Sequence, residues 1–222
     1  DKGKKGVLNC MNFWDTNYPE ITYLGINKSQ EEQDNNIYIY EQDGMEIAIL
    51  NYTYGTNGIP TPSDMPFVVN YMDEEKIIKD LQYAEENADF TIVCPHWGTE
   101  YTTTQSSYQE EFALQMTEAG ADLIIGTHPH VVQPVSYVES ENGNKSLCYY
   151  SLGNYVSTQK QVECMLEAMA VVTFTVTPEG EFYINEEETG VLPLVCQYTQ
   201  GSVRIDNIYL LDEYTEELAL KH

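Results

Sequence analysis

The chain has few basic residues and lacks several common signatures of function. Its 222 residues include 10 lysines and arginines against 36 aspartates and glutamates, which gives a formal net charge of -26. A chain with this charge repels phosphate backbones, so nucleic acid is excluded as a partner. There is no P-loop, no GxGxxG motif and no Ser-His-Asp order, which argues against dinucleotide cofactors and nucleophilic triads.

Cysteine patterns and long apolar runs are also lacking. The five cysteines form no CxxC pair and their number is odd, so neither a disulfide framework nor a zinc ribbon is indicated. No apolar stretch is long enough to span a bilayer, and these residues contain no signal-peptide pattern. The hydrophobic content of 42% is enough to build the core of one large domain.

Three of the four histidines stand at the ends of two apolar runs. Residues 88–98 read Ala-Asp-Phe-Thr-Ile-Val-Cys-Pro-His-Trp-Gly and contain His96. Residues 121–130 read Ala-Asp-Leu-Ile-Ile-Gly-Thr-His-Pro-His and end in His128 and His130. Both runs are typical of buried strands, and α/β proteins place their sites at strand ends.

Amphipathic helices are predicted before and between the two runs. Asp73 can cap a helix over about residues 74–87, and Ser107 with Glu110 forms a capping box for a second helix. Apolar strands separated by such helices predict a parallel sheet covered on both faces. A right-handed crossover then places the carboxyl ends of both strands, with the three histidines, on one edge.

The remaining segments predict a hairpin, a loop and antiparallel strands. Residues 37–40 and 45–52 flank a Gln-Asp-Gly turn, and residues 55–67 are rich in proline and glycine. The second half of the chain predicts mostly antiparallel strands, with a turn at Asn142-Gly143.

The His128-Pro129-His130 segment is the sharpest local signal. Pro129 favours an extended backbone at His128, and in an extended segment residues i and i+2 point to the same side. Both imidazoles would then face one metal or a pair of metals, and His96 can approach from the neighbouring strand end. Three nitrogen ligands leave a dinuclear site incomplete, so carboxylates or an amide are expected to complete it. The alternative is that the histidines are structural or solvated and Pro129 is an ordinary loop proline.

Two polar residues and their neighbours are further candidates. Glu100 could orient His96, and the alternative is a solvated acid on an acidic surface. Asn154 could donate a hydrogen bond to a bound oxyanion, and the alternative is a turn residue that tolerates left-handed geometry. Trp97 is read as a core or rim aromatic in preference to a substrate platform, and Gly98 allows a sharp turn beside a ligand.

Four motifs occur in the order that is typical of a known family. They are His-Trp-Gly-Thr-Glu-Tyr at residues 96–101, Gly-Ala-Asp at 120–122, Gly-Thr-His-Pro-His at 126–130 and Tyr-Ser-Leu-Gly-Asn-Tyr at 150–155. The chain closely resembles the bacterial capsule synthesis family CapA, also called PgsA or PGA_cap. The resemblance implies an α/β fold of the calcineurin-like metallophosphoesterase type, a sandwich of mixed β-sheets flanked by helices. It implies one domain over residues 1–185, truncated at its N-terminus, and a C-terminal extension over residues 186–222 that packs on it.

The resemblance also leads to an expectation about what precedes Asp1. Family members carry an Asn-Asn-His block followed closely by Asp-x-Gly-x-x-Gly, and Asp1, Gly3 and Gly6 match the second part. The Asn-Asn-His block and an earlier Gly-Asp segment with its acidic partner motif are expected upstream. These would supply the remaining metal ligands and a histidine able to protonate a leaving group, so no catalytic residue is assigned in this sequence.

By resemblance, His96, His128 and His130 belong to a metal site. The implied cofactor is a pair of divalent ions, Mn, Fe or Zn, in the intact protein, and this chain alone can lack them. Glu100 and Asn154 match motif positions expected to support the ligands or a bound oxyanion.

The implied role is poly-γ-glutamate capsule biosynthesis, with a metal-activated water hydrolysing a phosphoester. The alternative is a non-catalytic accessory protein for assembly or export of the capsule polymer. The expected partners are the N-terminal segment of the same protein, the capsule polymer and membrane proteins of capsule synthesis. The expected location is the cell surface, with a membrane anchor in that N-terminal segment.

Overall fold

The computed structural model describes residues 3–35, 37–159, 161–178, 182–199 and 205–221. The α-helices among them are α1 (Gly3–Asn17), α2 (Gln30–Asn35), α3 (Glu74–Asn87), α4 (Ser107–Glu118) and α5 (Glu216–Ala219). The strands are β1 (Tyr38–Gln42), β2 (Met45–Thr53), β3 (Phe90–His96), β4 (Leu123–Ile125), β5 (Val135–Glu139), β6 (Lys145–Tyr149), β7 (Leu166–Val171), β8 (Phe174–Val176), β9 (Phe182–Ile184), β10 (Gly190–Tyr198) and β11 (Ile205–Leu210). Short 3-10 helices occur at Val162–Cys164, Glu186–Glu188 and Leu211–Glu213. Asp1, which the family resemblance includes, lies outside the described residues.

The chain divides into two compact units. The first comprises Asp1–His96, Gln115–Leu123 and Glu139–Ser146, and the second comprises Trp97–Leu114, Ile124–Val138 and Leu147–His222. The expected domain boundary after residue 185 stays a prediction.

Strands β1, β2 and β3 lie wholly in the first unit. The strands of the six-stranded sheet follow the order β1-β2-β3-β4-β6-β5. Strands β1 and β2 form the predicted hairpin, in which Asp43 and Gly44 both have positive φ. Strands β2 and β3 pair in parallel, with Thr53 opposite His96. The Asp122 N–H donates to the Thr91 carbonyl at 3.0 Å beside the start of β4.

Helix α3 forms where the sequence predicts it. The Asp73 side chain caps the helix by accepting a hydrogen bond of 2.9 Å from the Lys76 N–H. Ile77, Leu81 and Ala84, one helical face in the sequence, are all buried. The burial of this apolar face, more than helix propensity, holds the helix in place.

The capping box of helix α4 lies one residue earlier than predicted. The Ser106 hydroxyl accepts from the Gln109 N–H at 3.3 Å, and Gln109 Oε1 accepts from the Ser106 N–H at 3.0 Å. This reciprocal pair is the capping box, so the prediction of Ser107 and Glu110 is wrong by one position. Gly120, with φ of +107°, ends the segment as predicted.

The second unit contains the antiparallel structure predicted for the second half of the chain. Strand β10 lies between β11 and β7 and pairs antiparallel with both, while β8 and β9 form a separate hairpin. Residues 194–198 of β10 are buried. None of the helices in the described residues combines the length and the apolar character needed to cross a membrane.

Candidate metal centre

Two loops of the second unit run side by side after β3 and β4. The Trp97 N–H donates to the Thr127 carbonyl at 3.0 Å, and the Tyr101 N–H donates to the Pro129 carbonyl at 2.8 Å. These hydrogen bonds bring the Glu100 loop next to the His-Pro-His segment. Of the three histidines predicted at one sheet edge, His128 and His130 lie on these loops within this unit, and the approach of His96 stays a prediction.

The backbone at the two histidines differs from the extended conformation that the sequence predicts. His128 has φ of +104° and His130 has φ of +62°, and Tyr101 across the loop has φ of +61°. The expectation of an extended His-Pro-His segment is therefore wrong, because the hydrogen bonds between the two loops override the local preference imposed by proline.

These three residues are a majority of the strained positions in the described chain. The other two non-glycine residues with positive φ are Asp43 and Asn57, both in turns and both of types that tolerate this region. The bulky Tyr101 and His128, whose φ of +104° lies beyond the left-handed helical region, are the more unusual cases, and strain of this kind clusters at functional sites. The backbone therefore singles out this site independently of the motif resemblance.

Glu100, His128 and His130 form a group of metal-ligand type. One ligand atom from each lies within 4.8 Å of the other two. His130 Nε2 and Glu100 Oε1 are 3.9 Å apart, too far for a hydrogen bond. Ligand bonds of about 2.0–2.2 Å allow two donor atoms of one ion to lie up to about 4.2 Å apart. Two imidazoles and a carboxylate thus fit one divalent ion such as Zn, Mn or Fe with small side-chain adjustments.

The protonation of His128 suits a ligand. Burial lowers the pKa of His128, the Glu100 carboxylate opposes this shift, and His130 reinforces it. A lowered pKa keeps the imidazole neutral near pH 7, with a lone pair available for a metal. The rings of His128 and His130 have centroids 5.9 Å apart, so the two nitrogen donors serve one site.

Asn154 determines which ring nitrogen of His130 can bind a metal ion. The Asn154 amide nitrogen lies 3.2 Å from the His130 carbonyl, 2.9 Å from Gln159 Oε1 and 3.3 Å from the Cys164 carbonyl. These three acceptors determine the orientation of the amide, so Oδ1 faces His130 Nδ1 at 2.8 Å and must accept a hydrogen bond from the N–H there. A neutral His130 then keeps its lone pair on Nε2, the atom that faces Glu100.

A buried hydrogen-bond network holds the Glu100 loop. Gln109 Nε2 donates to Gln133 Oε1 at 2.8 Å, and Gln133 Nε2 donates to the Thr102 carbonyl at 2.7 Å. Both glutamines are almost completely buried. Gly98 has φ of +92°, and a Cβ there would lie 2.6 Å from Gln109 Oε1. The close approach explains why this loop needs glycine at the sharp turn.

Contacts of Trp97 and Gly126 hold the start of the same two loops in place. The fully buried Trp97 donates from Nε1 to the Tyr150 carbonyl at 3.0 Å. A Cβ at Gly126 would lie 2.1 Å from that carbonyl oxygen and 2.4 Å from Trp97 Nε1. Trp97 is therefore a core residue, as the sequence analysis favours.

Known bacterial capsule synthesis proteins are similar to this chain in sequence. The model of the bacterial capsule synthesis protein family PGA_cap matches residues 1–159. The chain belongs to the PGA_cap family. The PGA biosynthesis protein CapA of Bacillus subtilis (strain 168) is 34% identical over 140 residues, covering 63% of this chain and 35% of that protein. The capsule biosynthesis protein CapA of Bacillus anthracis is 30% identical over 200 residues, covering 88% of this chain and 44% of that protein. The chain thus spans less than half the length of either relative.

A solved structure confirms the fold of this PGA_cap chain. Haemophilus influenzae NAD nucleotidase (NadN) matches with a TM-score of 0.54 at 16% identity, covering 88% of this chain and 37% of that one. The chain therefore shares the mixed α/β fold of this nucleotidase, and the predicted fold class is confirmed. At this identity the likeness concerns the fold alone.

The PGA_cap motif residues are distributed over both units. His96 is the last residue of β3 in the first unit, where its ring stacks on Tyr54 with centroids 6.0 Å apart. Its role as a metal ligand stays a prediction, as does its orientation by Glu100. Glu100, expected in a supporting role, lies in the donor group with His128 and His130. Asn154 is not a left-handed turn residue, since Gly153 has the positive φ, of +77°.

Two residues of the site were not singled out by the sequence. The Tyr101 ring stacks on His130 with centroids 5.7 Å apart, and Gln159 Nε2 donates to the Tyr101 hydroxyl at 3.1 Å. Tyr101 lies inside the first PGA_cap motif, which was a usable signal. Gln159 lies outside all four motifs, so no local pattern identified it.

Proposed function

We propose that Glu100, His128 and His130 bind a divalent metal ion and that this site hydrolyses a phosphoester during capsule biosynthesis. The supporting observation is the convergence of two imidazoles and a carboxylate on loops with strained backbone. Such a donor set is typical of metal-assisted hydrolysis, and family membership connects the chain to capsule synthesis.

The side chains of the chain divide the tasks of the site. A bound divalent ion would supply Lewis-acid activation of a phosphoryl oxygen and of water. His128, neutral because burial lowers its pKa, and His130, through Nε2, would hold the ion, and the Glu100 carboxylate would offset its positive charge. The Glu100 and His130 side chains are 46% and 29% exposed, which leaves the donor group open to a substrate from solvent. We assign no leaving-group acid among the described residues, and the Asn-Asn-His block expected from the family resemblance would provide one.

Metal-dependent hydrolysis is the first expected result. Protein stripped with EDTA is expected to bind Mn²⁺ or Zn²⁺ in calorimetric titrations. It should hydrolyse bis(p-nitrophenyl) phosphate only after metal is restored, because the proposed chemistry depends on a bound ion to activate water. Failure to bind any of Mn²⁺, Zn²⁺ or Fe²⁺, together with no hydrolysis after their addition, would refute the enzymatic proposal.

A second candidate function is non-catalytic and concerns the capsule polymer. The two relatives carry names that refer to PGA or capsule biosynthesis, and the names mention no reaction. The net charge of -26 repels a polyanion, so an acidic capsule polymer would need divalent cations to bridge it to this surface. In this proposal the protein acts at the cell surface, held there by a membrane anchor outside this chain, together with membrane proteins of capsule synthesis.

Cation-dependent polymer binding is the second expected result. Titration with poly-γ-glutamate is expected to show binding in millimolar Mg²⁺ or Mn²⁺ and none in EDTA, since only cations can offset the repulsion. Glu100→Gln serves to separate the two functions, because a polymer held by the whole acidic surface should be insensitive to one donor. The absence of binding with and without divalent ions would exclude this role.

A further inference from the structure

Gln159 occupies a bridging position beside the candidate metal centre. It belongs to none of the four motifs, yet its amide contacts the two residues that hold the His130 ring. Oε1 accepts from Asn154 Nδ2 at 2.9 Å, and Nε2 donates to the Tyr101 hydroxyl at 3.1 Å. We propose that Gln159 is a positioning residue, which fixes the tautomer and the orientation of His130 through Asn154 and Tyr101.

The first branch of this arrangement sets the tautomer. Asn154 can present Oδ1 to His130 Nδ1 only while its NH₂ group faces acceptors on the other side. Gln159 Oε1 is the nearest of these and the only side-chain acceptor among the three contacts of the amide in the described structure. Without it, the amide is held by two longer contacts to main-chain carbonyls, and reversal of the amide becomes easier. Reversal would turn an N–H toward Nδ1 and move the imidazole proton to Nε2.

The second branch sets the orientation of the ring. Tyr101 stacks on His130 with an interplanar angle of 25°, and its hydroxyl is held by Gln159 Nε2. His130 is thus confined by a hydrogen bond at its edge and an aromatic ring on its face. Both constraints depend on the Gln159 amide, so removing that amide would release both of them.

Gln159 is itself held in place by its main chain. The buried Tyr198 of β10 donates from its hydroxyl to the Gln159 carbonyl at 2.8 Å, and the Gln159 N–H donates to the Ser157 hydroxyl at 3.1 Å. A rigid anchor is what a positioning residue requires, because outer partners of a histidine ligand raise metal affinity by holding the ring and its tautomer.

The decisive substitution is Gln159→Leu, which keeps the size and removes both hydrogen bonds. In the metal-free protein, ¹⁵N–¹H correlation spectra of the imidazoles are expected to show the Nδ1–H tautomer of His130 in the wild type and a mixture in the variant. Only four histidines occur in this chain, so the signals can be assigned by single substitutions. Mn²⁺ affinity is expected to fall about tenfold, the lower end of the loss caused by removing an outer partner.

Two further variants separate positioning from general disruption. Gln159→Glu keeps an acceptor for Asn154 and can accept from the Tyr101 hydroxyl, so it should restore the Nδ1–H tautomer. Gln161→Leu changes an exposed glutamine that makes no capping hydrogen bond, and it should behave as the wild type. Wild-type spectra and wild-type affinity in folded Gln159→Leu protein would overturn the proposal. The affinity readout rests on the proposed function, whereas the tautomer readout needs no metal, so the failure of one can be distinguished from failure of the other.

Discussion

Replacing His128 or His130 with glycine is expected to abolish metal binding and hydrolysis while the protein stays folded. Each substitution removes one of the three donors that lie within 4.8 Å of one another. Loss of a partner outside the ligand set already weakens metal binding about 10- to 100-fold, so loss of a ligand should weaken it by at least about 100-fold. Hydrolysis should fall by about three orders of magnitude, since a metal contributes several kcal/mol of transition-state stabilisation.

Glycine is the informative substitution because both histidines have positive φ. Alanine would keep the backbone strain and could misfold the loop, whereas glycine adopts this region without steric cost. Relief of the strain is expected to offset part of the packing and hydrogen bonding that is lost with each imidazole, so thermal unfolding should still show a cooperative transition in both variants.

Asn57→Gly provides the matched control for this experiment. Asn57 also has a positive φ, of +53°, but it lies in a turn of the first unit, away from the three donors in sequence. It should retain wild-type metal affinity by calorimetry and wild-type hydrolysis. The metal-centre assignment fails if the two histidine variants keep affinity and rate within tenfold of the wild type.

Local signals in the sequence predicted the elements that local interactions determine. The β1–β2 hairpin follows from its Asp-Gly turn, and α3 follows from the Asp73 cap and one apolar face. The start of α4 was ambiguous because two overlapping patterns, Ser106 with Gln109 and Ser107 with Glu110, both satisfy the capping-box rule. The burial of Gln109 against Gln133 decides between them, and this contact joins residues 24 positions apart.

The candidate site shows the same division between local and long-range information. The His-Pro-His motif correctly predicted that the two imidazoles lie close together. The reason given, an extended backbone, is wrong, because both histidines have positive φ. Gln159 contacts Tyr101 from 58 positions away, and such a pairing leaves no trace in spacing or periodicity. Metal binding by His96 stays a prediction that the ligand-substitution series can be extended to test.

Glu167→Gln is expected to stabilise the protein progressively as the pH rises from about 5 to 8. Glu167 lies on β7 and is only 3% exposed, and neither of its carboxylate oxygens has a hydrogen-bond partner in the described structure. Burial raises its pKa from 4.5 to about 8. The nearby buried Cys196 thiol offers no compensating positive charge, and its own pKa is raised by burial and by Glu167.

The direction of this pH dependence follows from the protons that Glu167 binds in the folded and in the unfolded chain. Below pH 4.5 the Glu167 carboxyl is protonated in both the folded and the unfolded chain, so it does not make the free energy of unfolding depend on pH. Between pH 4.5 and about 8 the unfolded chain has released the proton and the folded protein retains it, so wild-type stability declines with rising pH. The slope is at most about 1.4 kcal/mol per pH unit and the total at most about 5 kcal/mol, less whatever relaxation of the site recovers. Above pH 8 the stability of the wild type no longer declines because of this group.

Urea unfolding of the wild type and Glu167→Gln between pH 4.5 and 9 measures this difference directly. The neutral amide has nearly the same shape and cannot titrate, so subtracting the two curves cancels the contributions of the other 35 acidic residues (36 in all). Glu163→Gln, at an exposed carboxylate four residues earlier, should give a curve close to the wild type. Parallel curves for the wild type and Glu167→Gln would show that the carboxyl finds a partner that keeps its charge. A partner of that kind would have to come from outside the described residues, because the carboxylate is sealed from solvent and has no donor within hydrogen-bond distance among them.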